Sequence, residues 1–280
     1  MADHRSEETE IQPLVLLGID ALAFLIRNRT VFLLSTLPIA GLAAIIAWLV
    51  SSHAGYDYLR GHWAWDFLFA LIYVMFLDRW MKETLLDDAA PCDEVDELRR
   101  SIVSPRLLVI AAAFFLLALG FGILQVQGVA ENVAAIGLPE GLAQLLTATI
   151  SWLPHIFVWS MLVSPFVLLL PACSGVKPMT LRGALALGRP IRSKLFNLVF
   201  GTALAWLLIT SAAAWGLQVL PAKPWAASAM AAALRLAHCL VIAQAGYVVA
   251  TLWRQLTDWQ PPEPADRPFR DMNLRPRKAV

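Results

Sequence analysis

Charge is scarce in this chain. Asp, Glu, Lys and Arg make up 15% of its 280 residues, against 59% hydrophobic, and the mean hydropathy is +0.63. A soluble domain of this size has too little interior to hide so many apolar side chains, so part of the solvent must be lipid. The net charge of +1 gives no global field that would draw in nucleic acid or acidic substrates. Cysteine is scarcer still: Cys92, Cys173 and Cys239 share no CxxC spacing, which argues against a disulfide framework. The polar opening MADHRSEETE lacks a basic stretch followed by an apolar run and a small-residue cleavage site. No removable signal peptide is therefore expected, and the first membrane helix serves as the signal.

Signatures of chemistry are missing as well. The sequence holds no GxSxG, no phosphate-cradling loop and no HExxH, and no helix carries two histidines several turns apart as a two-haem bundle requires. The acid-rich stretch LLDDAAPCDEVDELRRSIVSPR lacks the glycine and alternating spacing of a calcium loop and carries its own arginines. A solvated helix with internal ion pairs is expected there. Neither an enzyme, a metal nor a cofactor is implied.

What the sequence does have is six apolar runs, about 31–50, 63–80, 106–125, 150–171, 195–219 and 226–253, against the roughly 20 residues that cross a ~30 Å hydrocarbon core. The expected fold class is all-α, a polytopic membrane helix bundle with six transmembrane helices. The second run is short, with only Trp63 to Leu77 between His62 and Asp78, and the sixth is long enough to tilt or to project into water. Nineteen of the 22 Lys and Arg residues fall on one set of alternating connections; Arg60, Lys223 and Arg235 are the remainder. By the positive-inside rule both termini are cytoplasmic. Residues 1–10 then form a polar cytoplasmic N-terminus. Residues 11–29 form an interfacial helix, apolar round most of its circumference but interrupted by Pro13, Gly18 and Asp20. Residues 30–254 make the six-helix transmembrane domain, and residues 255–280, with five prolines and scattered charge, a disordered cytoplasmic tail. Thr180 is placed to cap a second short amphipathic helix, LRGALALG, which Gly188 and Pro190 would end.

Four polar groups inside the apolar runs share a depth in the outer third of the membrane: Asp66, His155, Arg235 and, one turn below Arg235, His238. They make a candidate outer-leaflet polar cluster, either a pocket or a helix-to-helix lock. The bland alternative is an Arg235 that snorkels alone to the outer headgroups. On the cytoplasmic side Arg27, Arg29, Arg182, Arg189, Arg192 and Lys194 lead into membrane helices and are candidates to face anionic lipids or partner proteins. Pro154, Pro165 and Pro171 interrupt the fourth run as in transporter helices, yet no Asp, Glu or Lys lies at the midplane to couple an ion. Trp80 and Trp253 are among seven tryptophans near helix ends, where indole anchors suit the interface, whereas Trp159, Trp206 and Trp215 lie deeper and can pack between helices.

The block MTLRGALALGRPIRSKLFNLVFGTALAWLL, together with FLIRNRTVFLLSTLPIAG, resembles a pattern in a group of bacterial six-helix inner-membrane proteins. That group is similar to the membrane domain which some glycerophosphodiester phosphodiesterases carry ahead of a catalytic barrel. The resemblance implies an all-helical integral domain in the bacterial inner membrane. It carries over no catalytic residue, because the barrel is missing here. The expectation is a non-enzymatic accessory, assembly or scaffold subunit, or a lipid-interacting protein, whose partners are anionic lipids and other membrane proteins. A small-molecule or lipid transporter using the outer polar site is the alternative, and a haem- or metal-binding redox protein a third class.

Overall fold

The structure, a computed structural model, describes residues 12–54, 63–89, 93–120, 132–133, 136–174, 179–220 and 223–261. Residues 1–11 and the tail from 262 onward lie outside the described residues. All regular structure among the described residues is helical, in the order α1 (Leu14–Arg27), α2 (Arg29–Ala54), α3 (Trp63–Leu85), α4 (Asp93–Arg100), α5 (Pro105–Gly120) and α6 (Glu140–Val163). After a 3-10 turn (Ser164–Phe166) come α7 (Leu169–Cys173), α8 (Leu181–Gly188), a second 3-10 turn (Arg189–Ile191), α9 (Arg192–Val219) and α10 (Pro224–Thr257).

Four segments are long and apolar enough to cross a membrane: Arg29–Ser52, Gly141–Phe166, Leu181–Leu217 and Pro224–Thr257. The chain is thus an all-helical protein of membrane character. The other two expected spans correspond to α3 and α5. At ~1.5 Å per residue α3 reaches about 35 Å, but Asp66, Asp78, Arg79, Lys82 and Glu83 dilute its apolar character. Apolar side chains as large as Leu34, Ile45, Met75, Val109, Phe157 and Val219 are exposed on the helices, the arrangement expected of surfaces that face acyl chains.

The longest helix, α10, is the hub. It packs most extensively against α2, then against α9 and α3, and also touches α1 and α7. Small side chains allow the approach: Ala43 and Ala47 on α2 and Ala231, Cys239 and Ala243 on α10 are buried in one cluster. Close packing of this kind replaces the hydrophobic drive that lipid cannot supply. Gly246 does the same toward α3, since a Cβ there would sit 2.8 Å from Leu77 Cδ1.

Helix α3 buries two faces. Phe69, Tyr73, Phe76 and Trp80 recur at helical spacing and join Phe24 and Phe32 in an aromatic cluster, with Trp80 edge-on to Phe24 at 5.3 Å and to Phe32 at 5.7 Å between centroids. Met81 and Leu85 enter a second core with Leu107, Leu168, Leu195 and Trp253. Trp80 and Trp253, expected as interfacial anchors, are therefore fully buried. The reason is α1, whose Leu17, Ala21 and Phe24 pack inward at this end of the bundle. It is strapped down at both ends, by Lys194 Nζ donating to the Gln12 carbonyl at 3.4 Å and by Arg27 paired with Asp87 at 2.6 Å.

Two boundaries differ from the apolar runs for physical reasons. The second expected span, α3, does not stop near residue 80 but continues to Leu85, because Lys82 Nζ meets Asp78 Oδ2 at 2.7 Å one turn away and both side chains are buried. The fourth run is not continuous: Pro165 lacks an N–H and its ring obstructs the preceding turn, so α6 gives way to a 3-10 turn at Ser164. Thr180 caps α8, its side chain accepting from the Gly183 N–H at 3.1 Å. At the far end Asp258, in the left-handed region at φ 48°, stops α10.

Replacing Gly246 by Leu should force α10 away from α3. Overpacking of this sort costs about 1–3 kcal/mol, to be read as a lower unfolding midpoint in detergent, and an unchanged midpoint would show that the two helices are not held at this spacing.

Candidate functional site

Three helices each contribute a pair of side chains to one buried polar site. Arg235 and His238 are three residues apart on α10, Phe69 and Tyr73 four apart on α3, and Trp206 and Thr210 four apart on α9, so each pair shares a helix face. Arg235 Nη1 donates to the Tyr73 hydroxyl at 3.4 Å, and its Cζ lies 3.9 Å from the centroid of the Phe69 ring. The Tyr73 hydroxyl meets His238 Nδ1 at 3.3 Å, and Thr210 Oγ1 meets His238 Nε2 at 3.1 Å. The imidazole is stacked on Trp206, with centroids 3.6 Å apart and planes 5° from parallel.

The direction of these bonds follows by elimination. Thr210 Oγ1 gives its only proton to the Trp206 carbonyl at 2.9 Å, so toward His238 it accepts, and Nε2 of the imidazole carries the hydrogen. Nδ1 is then the acceptor and the Tyr73 hydroxyl donates to it. The result is a one-way chain, Arg235 to Tyr73 to His238 to Thr210 to the Trp206 carbonyl, which crosses from α10 to α3, back to α10 and on to α9. Its chemistry is that of a lock. A desolvated cation over an aromatic face is worth about 2 kcal/mol, and an interhelical hydrogen bond in a bilayer about 0.6 kcal/mol on average.

Of the four residues the sequence nominates, the structure brings two together. Arg235 and His238 belong to this chain and are both buried. Asp66 is in the first turn of α3, and its side chain lies outside the described residues. His155 is buried on α6, which packs chiefly on α9 and, less, on α5. Its ring stands edge-on to Trp152 at 5.2 Å, and Nδ1 has no partner among the described residues. His155 and His238 thus sit on helices that are not principal neighbours, and both nitrogens of His238 are engaged. Sequence reasoning missed Tyr73, Thr210 and Phe69. A hydroxyl in an apolar run gives no signal until the facing helix is known.

A second polar feature lies further along α3. Asp78 and Lys82 are each about 2% exposed, and Lys82 Nζ also donates to Ser101 Oγ at 2.9 Å and to the Ser101 carbonyl at 3.1 Å. Lys82, counted from sequence among the loop cations, instead ties α3 to the segment entering α5. Asp78 Oδ1 has no partner among the described residues.

The basic residues divide in the same way. Arg27 is held by Asp87, Arg254 by Asp88 at 3.0 Å, and Arg99 by Glu83 at 3.4 Å. The acid-rich loop therefore pairs with α1, α3 and α10 rather than only within itself. Lys194 is partly buried against α1, while Arg29, Arg182, Arg189 and Arg192 are exposed. No group of three or more His, Cys, Asp or Glu suited to a metal occurs among the described residues. Outside the long helices, burial pushes the Cys173 thiol up from its ordinary value, while the neighbouring Arg106 pulls the other way. Two cavities stand out: one of about 90 Å³ among Phe24, Thr84, Asp87, Tyr247, Thr251 and Arg254, and an apolar one of about 350 Å³ between the start of α6 and Trp215. Neither borders the Arg235 chain.

Lys82→Ala would strand the Asp78 carboxylate in the core and should cost about 3–5 kcal/mol. The joint change Asp78→Leu with Lys82→Leu should cost far less, because it removes both charges; chemical denaturation in mixed micelles compares them, and equal losses would mean the pair is not buried. In the Arg235 lock, a double-mutant cycle of Tyr73→Phe with His238→Phe should return a coupling of about 0.5–3 kcal/mol. Strict additivity would remove the hydrogen bond between them from the account.

No protein-family model, curated protein or solved structure matches this chain.

Proposed function

We propose that this chain is a non-enzymatic protein of the bacterial inner membrane that acts by binding, as an accessory, assembly or scaffold subunit or as a lipid-interacting protein. In this reading it has six spans, with α3 and α5 as the second and third and both termini cytoplasmic. The observation that carries it is the Arg235 chain. Tyr73, Arg235, His238 and Thr210, from α3, α10 and α9, are spent on one another in a stacked lock, and neither described cavity reaches them. A transport site would instead present such groups to a water-filled route at mid-depth. The internal pairing of Asp78 and Lys82 supports α3 as a span, since the two opposite charges enter hydrocarbon as one neutral unit. The clustering of cations on one set of connections supports the orientation.

One observation favours transport as the second reading. The helix break at Ser164–Phe166 lies beside buried Ser160 and Ser164, and Ser160 Oγ has no partner among the described residues. Discontinuous helices with loose polar groups are where transporters hold substrates.

Native mass spectrometry of the protein taken from its own membrane in mild detergent tests the choice. A stoichiometric protein partner or retained phospholipid is the expected result, and a bound small polar solute released by Ser160→Ala would move the assignment to transport. Topology is checked separately by impermeant maleimide on single cysteines in intact cells. Positions in the 55–62 connection should label from outside and Arg182→Cys only after lysis; the reverse pattern would overturn the orientation.

A further inference from the structure

Between Glu140 and Asp258 the sequence contains neither Asp nor Glu. Apart from Arg254, four residues before Asp258, the cations of this stretch consequently find no carboxylate nearby in the chain. Arg254 reaches back to Asp88 and Lys194 to the Gln12 carbonyl. Arg182, Arg189 and Arg192 do neither. They are exposed at the corner where α8 passes through the Arg189–Ile191 turn into α9, and no described carboxylate pairs with any of them.

The corner is built to hold them. Thr180 caps α8, while Ala184, Ile191 and Leu195 are buried beneath. Gly188 lets the turn close on the bundle, since a Cβ there would sit 3.1 Å from Leu195 Cδ1. Leu181 and Leu185 share the outward side of α8 with Arg182 and are 56% and 39% exposed. Leucine beside guanidinium that no described carboxylate pairs, at the end of a membrane-length helix, matches the boundary where acyl chain meets phosphate. A water-soluble polyanion would have no use for the two leucines. Guanidinium also suits a phosphate's oxygens better than ammonium does, because its donors form a planar fork.

We propose that the α8–α9 corner binds the headgroup phosphate of an anionic glycerophospholipid, with Arg182, Arg189 and Arg192 as its ligands and Leu181 and Leu185 seated in the acyl region. The inference deepens the binding role proposed above and rests on this corner facing the cytoplasmic leaflet. Arg27, exposed but already paired with Asp87, belongs to a different class of cation.

The test uses full-length protein in nanodiscs of mixed phosphatidylglycerol and phosphatidylcholine, with retained lipid counted by native mass spectrometry. Wild type should keep phosphatidylglycerol over phosphatidylcholine by roughly tenfold or more, given three arginines at an anionic surface, and the preference should shrink as salt is raised. The triple variant Arg182→Gln, Arg189→Gln, Arg192→Gln should approach parity, while Arg27→Gln keeps the preference. If the triple variant does not fold, the single changes should each lose about fivefold, the equivalent of about 1 kcal/mol per arginine. A preference unchanged in the variants overturns the proposal, as does inorganic phosphate competing as well as the lipid. A protein partner found without any lipid preference would sink this inference and leave the accessory role intact, whereas labelling of Arg182→Cys from outside would sink the orientation on which it rests.

Discussion

A polar group in hydrocarbon has no solvent to fall back on, so in this bundle hydrogen-bonding capacity must be met from neighbouring helices. That constraint explains two polar ties that α3 makes to other elements. Midway along α3, Tyr73 is the relay between Arg235 and His238. Near its end, Asp78 and Lys82 neutralise each other and Lys82 grips Ser101. Between these points the contacts are rings and aliphatic chains, which pack without fixing register. The polar ties set the axial position of α3, and the aromatic column from Phe69 to Trp80 sets its rotation.

The hub role of α10 follows from a different property. It combines small residues, which let α2 and α3 come close, with Arg235, which reaches α3, and His238, which reaches both α3 and α9. Steric closeness and directional bonding are thus supplied by one element, on different turns. The strap helix α1 then covers the end of the assembly, so that even Trp80 and Trp253 are removed from the interface.

Much of the fold was legible because apolar length is a property of composition alone. The first, fifth and sixth runs became α2, α9 and α10 with ends displaced by only a few residues. The second run was cut short because Asp78 and Lys82 were weighed singly, although their i,i+4 spacing marked them as a pair. The fourth was drawn through Pro165, where local sterics outrank hydropathy. Within the site, three-residue spacing made Arg235 and His238 neighbours on one face. His155 shared their depth but not their company, because depth is written in one helix and adjacency in two. Tyr73 and Thr210 were silent for the same reason.

The position of α10 in the chain bears on how the protein is made. Its most extensive packing is with α2, so α2 leaves the ribosome long before the helix it packs on. Until Pro224–Thr257 has been inserted, Ala43 and Ala47 have nothing to close upon, His238 is absent from the lock, and α1 lacks the surface it straps. Assembly in the bilayer is therefore gated by the synthesis of α10. Intermediates carrying α2 without α10 are the species that a membrane chaperone or protease would meet.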